Sequence, residues 1–136
     1  MKKVFLSLSA LLLLAACAKN AEQIEAAKTK MKTDWKQSDE EVSKYEFQTS
    51  EVVDKDAYLI LAKNYTDRYD KYKDTDLEIA KINIAEVEKF TDLASKSSNK
   101  TFYVVKAYSI VTGDTIHKKI FYIDDKNSVI DVENIK

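Results

Sequence analysis

The chain has 136 residues, with 22 basic and 23 acidic side chains and a formal net charge of −1. That is one domain's worth of sequence, long enough for a modest single core. Arg68 is the only arginine, and without a basic face carrying arginines nucleic-acid binding is not expected. There is no proline and one glycine, which excludes a Pro/Gly-rich stalk and a glycine loop that cradles phosphate.

The chain opens on Met1-Lys2-Lys3, continues through a short apolar run from Val4 to Ala16, and reaches its single cysteine at Cys17. A charged start, an apolar middle and a small-residue exit are the parts of a signal peptide. The run falls short of the about 20 apolar residues that span a bilayer. Leu14-Ala15-Ala16-Cys17 resembles the lipobox of bacterial lipoproteins. The resemblance implies cleavage between Ala16 and Cys17 and a lipid (diacylglycerol and palmitate) on Cys17. Two or more chains are what stable anchoring needs. By the same resemblance, Ala18 behind the cysteine implies export to the outer membrane, facing the periplasm or the cell surface.

Ala21 to Trp35 reads as a helix, with Ile24, Ala27, Met31 and Trp35 at helical spacing. Its thin apolar face suits docking on the domain through Trp35 better than lying along a membrane. Gln37 to Glu41 is a polar break. Val42 to Val53 is ambiguous: the alternation of Tyr45, Phe47 and Thr49 suggests a short strand, but the neighbours also tolerate a helical start. Asp54 to Lys73 is the strongest helix: Tyr58, Leu61, Ala62, Tyr65, Tyr69 and Tyr72 fall on one face, and Asp54 or Asp56 can cap it. Leu77 to Ser95 fits either state; the weight of β-branched residues favours a strand from Glu78 to Thr91. Ser95 to Lys100 is a loop by composition.

Thr101 to Val111 and Thr115 to Ile123 are strand-like runs around Gly113-Asp114, as in a hairpin closed by a two-residue, glycine-first turn. That register sets Ala107 against Ile120. It gives a core face of Tyr103, Val105, Ala107, Val111, Ile116, Ile120 and Tyr122, covered by the tyrosine-striped helix, with Leu61 and Tyr65 on Ala107 and Ile120. Asp124 to Asn127 turns the chain, and Ser128 to Glu133 returns as a strand with Ile130 and Val132 inward.

The expected fold is therefore α+β: a long helix packed on an antiparallel meander of three to four strands, plus an N-terminal helix. This order resembles the cystatin-like and nuclear-transport-factor-like group, and Tyr122 to Ile130 is similar to the last hairpin of PepSY-type domains. The expected division is a signal peptide over 1–16, a lipid anchor and helix over 17–41, and a single α+β domain over 42–136.

Few residues suggest chemistry. His117 is the only histidine, so a zinc site or a Cys-His pair is not expected. Asp74-Thr75-Asp76-Leu77-Glu78 alternates like a calcium loop, but Ile79 stands where that loop needs glycine and Ala85 where it needs glutamate. No metal and no cofactor are expected, nor a catalytic residue. The reading is a lipid-anchored envelope protein serving as a non-catalytic binding or protein-interaction module, its partner an envelope protein or a small ligand. The candidate partner face is Lys106, Tyr108, His117 and Lys119. Two alternatives stay open: a small enzyme or small-ligand binder with a pocket of Tyr65, Tyr69, Tyr103 and Tyr122, and a structural envelope component.

Overall fold

The computed structural model describes residues 20–111 and 115–135; the signal segment, Cys17 and Gly113-Asp114 lie outside them. The elements are α1 (Ala21–Asp34), α2 (Asp39–Ser43), β1 (Glu46–Val53), α3 (Asp54–Tyr72), α4 (Leu77–Ser95), β2 (Thr101–Val111), β3 (Thr115–Ile123) and β4 (Val129–Ile135). The strands form one sheet in the order β1-β2-β3-β4, with β2–β3 and β3–β4 antiparallel. The α+β class stands, with a helix laid against a four-stranded sheet. The described residues form two compact units, 20–50 with 103–135, and Glu51–Phe102; the expected boundary at residue 42 falls inside the first of them.

The first unit is α1 on the sheet. Ala27 and Met31 of α1 are fully buried and cluster with Val42, Val105, Ala107, Phe121 and Ile123. The sheet face at Ala107 is thus covered by α1 and not by Leu61 and Tyr65 of α3, a correction to the expected packing. The expected separate N-terminal segment is corrected with it, because α1 contributes core residues. At its start, Gln23 is buried and donates through Nε2 to Asn127 Oδ1 at 2.6 Å. Asn127 Nδ2 donates in turn to Glu22 at 2.7 Å. At its end, Trp35 packs edge-on against Phe121, ring centroids 6.0 Å apart. Lys36 then takes φ 55°, the left-handed region that costs an L-residue about 1–2 kcal/mol.

The polar break after α1 is a helix start. Ser38 N–H donates to Glu41 Oε2 at 2.8 Å, and Glu41 N–H to Ser38 Oγ at 3.2 Å, a reciprocal cap that satisfies two orphan donors of α2.

The β2–β3 register differs from expectation by one residue. Val111 pairs with Thr115 and Ala107 with Lys119, where the expected register set Ala107 against Ile120. A one-residue slip moves every β3 side chain to the other face. Phe121 and Ile123, not Ile120 and Tyr122, join Val105 and Ala107 over α1. Ile120 and Tyr122 are buried as well, on the opposite face with Val104; both faces of β3 are therefore covered at residues 120–123. Asp124 shapes the next turn by accepting at Oδ1 from the N–H of Lys126 (3.0 Å) and of Ser128 (2.8 Å). Beyond it, Ile123 pairs with Val129 but Tyr122 with Asp131, leaving Ile130 as an extra residue. This bulge sets the half-buried Val129 and Val132 against the core cluster, where Ile130 and Val132 were expected.

The second unit is a helical hairpin. Asp54 N–H donates to Lys100 O at 2.9 Å, and Ser98 N–H to Asp54 Oδ2 at 3.3 Å, joining its two ends. Val53, not an aspartate, occupies the N-cap of α3, and Asp54 and Asp56 lie in its first turn, where carboxylates suit the dipole. Tyr58 and Tyr65 both stack on Phe90, at 6.3 and 5.7 Å, and Tyr58 meets Phe102 edge-on at 5.5 Å. The strand expected over Glu78 to Thr91 is the helix α4. Ala80, Asn83, Phe90 and Ala94 are its buried residues, spaced three, seven and four apart as one helical face requires. The β-branched residues that suggested a strand, Ile79, Ile82 and Ile84, lie on its exposed flanks.

Candidate functional site

A hollow of about 240 Å³ opens in the first unit where α1 ends, lined by Trp35, His117, Lys118, Lys119, Asn134 and Ile135. Register brings these together: Lys119 pairs with Asn134, and Lys118 with Ile135. Trp35 arrives at the C-cap of α1, its N–H bonded to Met31 O.

The centre is Lys119. Its Nζ donates to Asn134 Oδ1 at 2.8 Å and lies 4.3 Å from the Trp35 ring centroid, a distance at which an aromatic face attracts a cation. Burial pushes the Lys119 amine below its ordinary value of 10.5, because the charged form loses hydration. Lys118 Nζ lies 5.7 Å from the Tyr108 ring, and His117 is exposed at the rim.

A second hollow, of about 220 Å³, lies between α1 and α2, lined by Glu25, Lys28, Lys32, Asp39, Val42 and Ser43. Its cations are satisfied from within. Lys28 pairs with Glu25 at 2.9 Å, and Lys32 with Asp39 at 2.5 Å. Hydrogen bonding and charge in the second pair raise the Lys32 amine and lower the Asp39 carboxyl. The two hollows differ in kind: one is internally neutralised, while the described partners of Lys119 are neutral.

The candidate partner face is divided by the register. Lys106 pairs with Ile120 and Tyr108 with Lys118, whereas His117 pairs with Ser109 and Lys119 with Ala107. Since successive side chains alternate, Lys106 and Tyr108 lie on one face, and His117 and Lys119 on the other. The tyrosine pocket is not assembled either. Tyr103 pairs with Ile123 and Tyr122 with Val104, on opposite faces of the sheet. Tyr122 hydroxyl donates to Glu133 at 3.5 Å. Tyr65 and Tyr69 belong to the helical hairpin, where Tyr65 stacks on Phe90 and carries the Arg68 guanidinium at 4.7 Å. The acidic run at Asp74 serves the helix behind it, Asp76 Oδ1 accepting from Ile79 N–H at 3.1 Å. Among the described residues no cluster of His, Cys, Asp and Glu could hold a metal, and no helix is long and apolar enough to cross a membrane.

Sequence reasoning named Lys119 and His117 but missed Asn134, Ile135 and the meeting of Trp35 with Lys119, because only the β3–β4 register and the length of α1 bring them together. Comparison with protein-family models, curated proteins and solved structures finds no match to this chain.

Proposed function

We propose that the chain is a lipid-anchored protein of the cell envelope, tethered through an acylated Cys17, that acts as a non-catalytic binding module. One observation supports this above the others. The first described helix begins at Ala21, and in sequence Ala18, Lys19 and Asn20 stand between it and Cys17. The first turn of α1 is also pinned to the β3–β4 turn through Gln23, Glu22 and Asn127. A cysteine that close to a fixed helix suits a tether holding a compact domain directly against a bilayer. With Ala18 behind the cysteine, the outer membrane is the proposed address. The binding surface is the hollow at Trp35 and Lys119, a defined concavity with polar groups converging on one edge.

Mass spectrometry of protein extracted from membranes should find an acylated N-terminal cysteine and no Met1–Ala16 segment. Cys17→Ser should move the protein out of the membrane fraction. An intact N-terminal methionine, or a Cys17→Ser protein that fractionates like wild type, would refute the anchor.

A further inference from the structure

Several lysines in and at the ends of the helices are matched with carboxylates: Lys63 with Asp67, Lys73 with Asp70, Lys89 with Glu86 and Lys96 with Asp92, at 2.7–3.0 Å. Lys119 is different. Its described partners are an amide oxygen at 2.8 Å and an indole ring at 4.3 Å, and among the described residues no carboxylate lines its hollow. We propose that this hollow binds a small soluble oxoanion, a carboxylate or phosphate group, with Lys119 as the receiving charge and Trp35 as its wall.

The chemistry of the lining supports the assignment. An ammonium has three donors, and Asn134 accepts from one of them. The same amide keeps its NH₂ group as a second donor for an incoming oxygen. His117, on the same strand face as Lys119, adds one further nitrogen side chain at the rim. The partial desolvation that opposes the charge on Lys119 is relieved by an anion, which supplies the missing counter-charge. At about 240 Å³ the hollow is below the roughly 300–1,000 Å³ of drug-sized pockets. It therefore suits a single oxoanion group or a small acid, not a nucleotide. Lysine presents a point charge where arginine presents a bidentate fork, so the site selects for charge and size and does not separate carboxylate from phosphate.

Position argues for a soluble ligand over a headgroup of the protein's own membrane. The hollow lies at the C-terminal end of α1, and Cys17 precedes the N-terminal end. A helix rising about 1.5 Å per residue sets the two ends of α1 some 20 Å apart. The inference rests on the binding-module reading, but its test does not involve the lipid, so its failure would leave the acylation of Cys17 standing.

Trp35 is the only tryptophan, and its emission therefore reports on this hollow and on its edge contact with Phe121. Full-length protein extracted in neutral detergent would be titrated with sodium phosphate and, separately, with sodium succinate, at ionic strength held constant with chloride. The expected result is a saturable change in Trp35 emission in the millimolar range with at least one anion. Lys119→Met should weaken it tenfold or more. Asn134→Asp, which seats a carboxylate beside an intact Lys119, should do the same. Should Lys119→Met fail to melt cooperatively, Asn134→Asp decides the matter. A wild-type response that is absent or never saturates would overturn the proposal, as would one undiminished in Asn134→Asp. Reconstituted protein that responds to anionic but not zwitterionic phospholipid vesicles, and to neither free anion, would also overturn it in favour of a headgroup site.

Discussion

At Lys119 the fold holds an amine where water is partly excluded, and this has a consequence for stability. Burial lowers its affinity for a proton in the folded state relative to the unfolded value of 10.5. The unfolded chain therefore binds more protons in the window between the lowered value and 10.5, and stability gains a term that rises with pH across that window. Below the window the cost of the buried charge is full and constant; above it the cost is gone. Chemical melts of wild type and Lys119→Met between pH 7 and 10.5 should show the difference between them moving in favour of wild type as pH rises. Subtracting the variant cancels groups that titrate identically in both proteins. A difference that stays flat, or moves the other way, would mean that Asn134 and Trp35 compensate the lost hydration.

Among the elements, α4 teaches most about what sequence can reveal. Its start is held by Asp76, whose carboxylate accepts from Ile79 N–H at 3.1 Å. Asp76→Ala should cost about 1 kcal/mol, read as a lower midpoint in a denaturant melt, whereas Asp74→Ala, outside the helix, should cost less than about 0.5 kcal/mol. Recognising that cap would have marked Leu77 to Ser95 as a helix. The exposed Ile79, Ile82 and Ile84 hid it by adding β-branched weight on its flanks. The α3 stripe was legible because its tyrosines keep to one side. The β2–β3 strands were legible too, but their register was not: Gly113-Asp114 suggests in the sequence a two-residue turn that sets Ala107 against Ile120, whereas Ala107 pairs with Lys119, and a shift of one residue inverts β3. The same uncertainty put Lys106 and Lys119 on one face in the sequence reading. The bulge at Ile130 left no composition signal, since valine and isoleucine are interchangeable there by hydropathy.

For the whole molecule, the placement of α1 was the largest surprise, and it changes what truncation should do. Its apolar face looked thin because a glutamine, Gln23, occupies a buried position. Ala27 and Met31 are nevertheless fully buried against the sheet. A chain beginning at Val42 should expose Val105, Ala107 and Phe121 and lose its cooperative melt. In the full chain, Met31→Ala should cost about 2–5 kcal/mol, a large share of a typical stability of 5–15 kcal/mol. A cooperative melt of the residue 42–136 chain, monitored by far-ultraviolet circular dichroism, would show that the sheet does not need α1.

The tie between Gln23 and Asn127 spans 104 positions of sequence, and it imposes an order in time. Emerging residue by residue, the chain presents α1 and β1 first, then the α3–α4 hairpin, and only last the strands that bury Ala27 and Met31. The hairpin's contacts are local and can close within its own segment, while the outer unit must wait for β3 and β4. Closing so long a loop is slow, and a prefolded hairpin between β1 and β2 shortens the free chain that has to be closed. Until Phe121 and Ile123 arrive, α1 is a partly apolar helix without its sheet, a natural client for whatever escorts the chain to its destination.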